Sequence, residues 1–121
     1  MTQANLCQLL RGVIEPLLLF LIADLPMHGY QIAKELERRS RGYFKLRGST
    51  LYSALRRLER EGLVLSTWQQ VAHKQWRRCY EITEKGRQIL SQELIEWQRF
   101  YRGASSVIGD NSLISDTEAK E

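Results

Sequence analysis

Seven hydroxyl-bearing or basic side chains crowd into twelve positions of this chain. Ser49, Thr50, Tyr52 and Ser53 are followed by Arg56, Arg57 and Arg60. Short hydroxyl side chains let a backbone come close to an anion. Arginines offer paired N–H donors that match phosphate oxygens or the O6/N7 edge of guanine. Leu51, Leu55 and Leu58 fall at i, i+4 and i+7, so one helical face is apolar and the polar set projects from the rest of the same helix. Ser49 is expected as the N-cap, and a helix start carries free N–H groups and partial positive charge that also favour an anion. This is the chemistry of holding a polyanion.

Charge is concentrated around the same residues. From Lys34 to Arg60 there are nine basic residues, Arg47 among them, and three acidic ones, a surplus of six against +4 for the whole chain. Further on, Lys74, Arg77 and Arg78 come with no acid until Glu81. A charge run is most often a solvated face. Here three separate segments carry it, and a sequence pI of about 9.3 agrees with a nucleic-acid partner.

Other chemistries find no support. There is no glycine-rich phosphate loop, no nucleophile–base constellation and no pair of carboxylates in an apolar setting, so no enzyme activity and no cofactor are expected. His28 and His73 lie in different turns and no Cys/His/carboxylate group has ligand spacing, so no metal is expected. Cys7 and Cys79 are too few and too far apart for a disulfide scaffold, which favours a reducing compartment. Cys79 follows Arg77 and Arg78, whose charge can lower a thiol pKa, but a passive strand residue is the simpler reading. Residues 1–10 lack a signal-peptide pattern, and the longest apolar stretch, Leu17 to Ala23, is far short of the ~20 residues of a membrane span. A cytoplasmic location away from any membrane is the expectation.

The elements that must position these residues follow from punctuation and period. Leu6 to Val13 reads as a short extra helix or arm. Pro16, suited to a first helical turn, opens a buried helix that ends at Asp24-Leu25-Pro26. His28-Gly29 reads as a turn, with His28 fixing it, and Tyr30 to about Ser40 as a second helix with Ile32, Ala33 and Leu36 inward. Gly42 breaks it. The third helix runs from Ser49 to about Glu61 and stops at Gly62. Leu63–Gln69 and Trp76–Ile82 read as strands of a hairpin joined by a polar turn over residues 70–75. Thr83 caps a fourth helix to about Arg102. In it Leu90, Leu94, Trp97 and Tyr101 recur at i, i+4, i+7 and i+11, a seam for a partner helix. Residues 103–121 are rich in serine and end acidic, and read as a disordered tail.

The chain is therefore expected to be mostly α with a small β-hairpin: a winged helix-turn-helix domain with an N-terminal arm (1–82), a C-terminal dimerisation helix (83–102) and the tail (103–121). In such a fold the third helix enters the major groove and the hairpin lies against the backbone. The candidate DNA-contacting residues are Lys34, Arg47, Ser49, Thr50, Tyr52, Ser53, Arg56, Arg57, Lys74, Arg77 and Arg78.

Four stretches carry a family resemblance: HGYQIAKELE at His28 to Glu37, GSTLYSALRRLEREGLV at Gly48 to Val64, WRRCYEITEKGR at Trp76 to Arg87, and Trp97 on the last helix. In these the chain resembles the PadR-like family of bacterial transcriptional regulators, in its shorter members with a single C-terminal helix, over about Leu9 to Arg102. The resemblance implies a homodimer formed by the C-terminal helices that binds double-stranded DNA at an inverted-repeat operator and represses. It adds Tyr30 to the DNA-contacting set. It also makes Trp97 a candidate to hold a small aromatic effector, although a tryptophan in an apolar stripe is more simply a packing residue. Two positions depart from the family's usual residues: Ser53 replaces a frequent proline, and Cys79 a tyrosine or lysine-like residue. The reading from another class is a winged-helix adaptor for protein contact, which an arginine-rich third helix disfavours.

Overall fold

The computed structural model describes residues 3–109, with side chains described from Gly12 onward. The elements in order are α1 (Gln3–Asp24), β1 (Met27–His28), α2 (Gly29–Arg39), α3 (Gly48–Arg60), β2 (Val64–Ala72), β3 (Gln75–Ile82) and α4 (Glu84–Ile108). The three strands form one antiparallel sheet in the order β1-β3-β2. Three helices followed by a hairpin give the winged helix expected from the sequence.

The described residues divide into two compact units after Leu90. The first holds the core. Leu18, Leu19 and Ile22 of α1 meet Ile32 of α2, Leu55 and Leu58 of α3 and Val64 of β2, all of them fully enclosed. Each such side chain contributes roughly 2 kcal/mol by leaving water. The second unit begins within α4, at Ser91. Leu90 on α4 is buried in the core of the first unit.

Several local expectations are corrected. Residues 6–13 and the helix after Pro16 form one helix, with Pro16 in its interior. Ile14, Leu18, Leu21 and Ile22 carry one buried stripe across the proline, and that burial offsets the hydrogen bond its missing N–H cannot give to the Gly12 carbonyl. His28 is not only a turn residue: Met27 pairs with Tyr80 and His28 with Cys79, adding a short third strand. The backbone N–H of His28 also donates to Gln31 Oε1 at 3.0 Å, fixing the start of α2.

The hairpin is tighter than expected. β2 and β3 pair up to Ala72 and Gln75, leaving only His73 and Lys74 in the turn, with a bulge between Gln70 and Ala72. Lys74 takes a φ of 59°, the left-handed conformation that closes the turn. Helix α4 continues through Gly103 to Ile108, so the first six residues of the expected tail are helical. Ala104 and Ile108 prolong the spacing of Leu94, Trp97 and Tyr101, and six helical residues outweigh one glycine. Residues 110–121 of that tail lie outside the described residues.

Two junctions hold α3 in place. At its end Gly62 adopts a φ of +77°; its N–H donates to the Glu59 carbonyl and the Leu63 N–H to the Leu58 carbonyl at 2.9 Å. That is a complete C-terminal cap, as the glycine predicts. At the root of α4 the Thr83 hydroxyl donates to the Gly62 carbonyl at 2.7 Å and accepts the Gly86 N–H at 3.0 Å. Thr83 thus caps α4, as expected, and ties it to the end of α3.

Candidate nucleic-acid interface

Helix α3 separates its residues by face. Leu51, Ala54, Leu55 and Leu58 are buried. Ser49, Ser53, Arg56 and Arg60 fall at i, i+4, i+7 and i+11, a line on the opposite side. None of these four makes a side-chain hydrogen bond or ion pair among the described residues. Tyr52 and Glu59, seven apart, flank the line on the side of the hairpin, where Glu59 accepts a hydrogen bond from Ser66 of β2 at 2.7 Å. Thr50 and Arg57, also seven apart, flank it on the side of α1.

The position of Arg57 has no local signal. Its Nε pairs with Glu15 Oε1 of α1 at 3.3 Å, and both side chains are largely covered, 26% and 20% exposed. Arg57 therefore braces α3 against α1, while its neighbour Arg56 stands free in solvent. The start of α3 also differs from the expectation. Arg47 occupies the N-cap position with no side-chain cap, its carbonyl accepting the Leu51 N–H at 3.0 Å, and Ser49 is the second helical residue. The Ser49 and Thr50 hydroxyls are consequently left exposed in the first turn.

The basic stretch before α3 is partly neutralised. Arg38 and Arg39 of α2 both pair with Glu35, at 2.9 and 3.8 Å, and the Arg38 guanidinium holds the Glu35 carboxyl below its ordinary value. Among the described residues Lys34 forms no ion pair; its ammonium lies 5.1 Å from the centre of the Tyr30 ring. Tyr30 itself is 60% exposed.

Between α3 and the hairpin lies an open cleft of about 460 Å³. Tyr30, Tyr52, Arg56, Arg77 and Arg78 border it together, so five of the expected contact residues share one concave surface, and no acidic residue borders it. Lys74 sits apart at the hairpin tip, and Arg47 in the approach to α3. A broader groove of about 990 Å³ runs along α2, edged by Tyr30, Lys34, Arg38, Arg41 and Arg77.

Two large residues of this surface escape a reading of the sequence. Trp68 and Trp76 of the hairpin also border the cleft, 61% and 58% exposed. A tryptophan in a strand reads as core, and only the sheet register places both beyond it. Cys79 has the opposite fate. It is 6% exposed, and burial pushes its thiol up, with the Glu81 carboxylate acting in the same direction. The nearby arginines do not activate it.

On α4, Leu94, Trp97 and Tyr101 remain exposed, joined by Phe100 and Ile108; the Trp97 and Phe100 rings lie 6.2 Å apart. Leu90, expected in the same seam, is 7% exposed and belongs to the core instead. Among the described residues no helix is long and apolar enough to cross a membrane, and no group of three or more potential ligands could hold a metal ion.

Comparison with known proteins places these features in a family. The model of the Transcriptional regulator PadR-like family matches residues 18–92. An uncharacterised protein of Lysinibacillus sphaericus is 30% identical over 89 residues, covering 74% of this chain and 82% of that one. The transcriptional regulator Rv3488 of Mycobacterium tuberculosis is 37% identical over 71 residues, 59% of this chain and 63% of its own. Among solved structures, a PadR family transcriptional regulator from Eggerthella lenta superposes with a TM-score of 0.74 at 27% identity, over 89% of this chain and 92% of that one. A transcriptional regulator from Clostridium thermocellum, at 24% identity, shares the fold with a TM-score of 0.77 over 90% of this chain and 99% of its own.

Proposed function

Because the chain belongs to the PadR-like family of transcriptional regulators, and not to a family of enzymes, we propose that it is a cytoplasmic homodimeric repressor of a pseudo-palindromic operator. The observation that carries this reading is the outward line of α3, Ser49, Ser53, Arg56 and Arg60, without a side-chain hydrogen bond or ion pair among the described residues and beside a cleft bordered by three arginines and no acid. Side chains without an internal hydrogen bond or ion pair, on a helix anchored by its leucine face and its C-terminal cap, are available to base edges and phosphates.

In the proposed complex the N-terminal half of α3 lies in the major groove, with Ser49, Thr50, Tyr52, Ser53 and Arg56 toward the DNA. Tyr30, Lys34 and Arg47 meet the backbone, and Lys74, Arg77 and Arg78 of the hairpin the adjoining strand. Arg57 serves the fold. Leu94, Trp97 and Tyr101 of two α4 helices pair, which sets two α3 helices about one turn of DNA apart, ~34 Å. Trp97 is the candidate contact for a small aromatic effector. Such a molecule releases DNA only by binding the two dimer arrangements unequally.

The test is a fluorescence-anisotropy titration of the protein onto the DNA upstream of its own gene, at several salt concentrations, beside a scrambled duplex. The expected result is tighter binding to the native sequence, with affinity falling steeply as salt rises. Absence of binding at low salt would overturn the reading and favour the protein-adaptor alternative.

A further inference from the structure

The wing carries two tryptophans that the fold does not bury. Cross-strand pairing sets Ser66 opposite Tyr80, Trp68 opposite Arg78 and Gln70 opposite Trp76. Paired residues share a face, and alternate residues of a strand do too. Trp68, Trp76 and Arg78 therefore continue the face on which Tyr80 and Val64 are buried, outward past the core to where α3 no longer covers the sheet.

That face is held in place by polar contacts. Arg78 Nε donates to Ser66 Oγ at 2.9 Å, and Ser66 Oγ donates to Glu59 Oε2 of α3 at 2.7 Å. The Arg78 guanidinium also lies over the Trp68 ring, 5.4 Å from its centre. The chain Glu59–Ser66–Arg78 fixes the wing's inner face relative to α3, and Arg78 stiffens Trp68. Yet both indoles stay more than half exposed. Large, pre-oriented aromatic surface of this kind is what contact surfaces use, because little side-chain freedom is lost on binding.

We infer that Trp68 and Trp76 form an apolar grip, set in the cleft between α3 and the wing, for the deoxyribose face of one strand of duplex DNA whose phosphates Arg56 and Arg78 hold. The inference rests on the DNA-binding reading above. Charge selects the occupant: the cleft is bordered by Arg56, Arg77 and Arg78 and by no carboxylate, while Glu59 on the hairpin side of α3 is occupied by Ser66. A backbone strand is both anionic and, on its sugars, apolar. It matches a wall that alternates arginine with indole. Sugar contacts are the same in every sequence and release no counterions, so this grip adds affinity without adding salt dependence or sequence preference.

The experiment compares wild type, Trp68→Ala/Trp76→Ala and Arg78→Ala on the upstream duplex and on a random duplex of the same length across a salt series. The double tryptophan variant is expected to lose roughly tenfold or more in affinity on both duplexes with an unchanged salt slope. Arg78→Ala is expected to flatten the slope by about one unit. A second measurement guards against misfolding: Trp68→Phe/Trp76→Phe keeps a ring at each place and should abolish the DNA-induced change in tryptophan emission expected of the wild type. Wild-type affinity in the double alanine variant, a flattened slope in it, or an emission change that survives the phenylalanine substitutions overturns the grip while leaving the regulator reading intact. Failure of the wild type to bind any duplex overturns that reading and the grip with it.

Discussion

The ring of Tyr52 lies directly against the bare α-carbon of Gly29: a β-carbon at position 29 would fall 2.5 Å from the Tyr52 hydroxyl and 2.8 Å from its Cε1 and Cζ. The start of α2 thus forms the seat of a side chain on α3. The absence of a side chain at Gly29 lets Tyr52 lie flat at the edge of the cleft.

Gly29→Ala should therefore displace Tyr52 more than it unfolds the protein. The ring can swing away at a stability cost of about 1 kcal/mol, the low end for an added methyl group. Affinity for DNA should fall roughly tenfold, about 1.4 kcal/mol. A double-mutant cycle checks this: in a Tyr52→Ala background, Gly29→Ala should have no further effect on DNA binding. Additive losses would mean that Gly29 acts by another route.

Arg56 and Arg57 are neighbours in sequence with different partners, and their alanine variants should separate. Arg56→Ala should weaken DNA binding and flatten the salt slope by about one unit if it holds a phosphate. Arg57→Ala should leave the slope alone and lower stability by about 1 kcal/mol, through loss of a largely covered pair. Glu15→Ala should match Arg57→Ala in urea unfolding. A flattened slope in Arg57→Ala alone would exchange the two roles.

Leu90 and Leu94 are one turn apart and should also part company. Leu90→Ala opens a gap in the core and should cost about 2–5 kcal/mol, read as a lowered urea midpoint. Leu94→Ala and Trp97→Ala should instead shift the monomer–dimer equilibrium, raising the dissociation constant tenfold or more in sedimentation equilibrium. Unchanged mass at every concentration in both variants would remove α4 from the interface.

Cys79 should be chemically quiet. Its thiol is pushed up by burial first and by Glu81 second, so it stays protonated at neutral pH. The fold favours the protonated thiol; that contribution to stability is present below the unfolded thiol pKa and is lost as pH rises through the folded one. In a Cys7→Ser variant, an aromatic disulfide reagent at mildly alkaline pH should modify Cys79 at least roughly tenfold more slowly than it modifies the same protein in urea. Equal rates would mean the thiol is exposed.

Features with local signals are legible in the sequence itself. The leucines of α3, the glycine at 62, the threonine at 83 and the alternation of β3 each depend on residues within a few positions, and these set the winged helix. The features that escape a local reading depend on partners far along the chain or on segments too short to show a period. Arg57 needs Glu15, 42 positions away. The strand Met27–His28 has two residues and exists only because Cys79 and Tyr80 lie beside it. Leu90 fits the seam by spacing but lies where the first unit still needs an apolar side chain. Pro16 reads as a beginning because the burial that carries α1 through it comes from other elements. Exposure of Trp68 and Trp76 is equally hidden, since a strand's sequence does not say how far its cover extends.

Helix α3 keeps two sets of residues apart. Leu51, Ala54, Leu55 and Leu58 hold it in the molecule, while Ser49, Ser53, Arg56 and Arg60 make no side-chain hydrogen bond or ion pair among the described residues. Substitutions along that outer line can accumulate, or be chosen by an engineer, without endangering the scaffold. On the proposed interface, changing side chains along that line would alter what the molecule recognises while leaving the leucine face that holds the helix as it is.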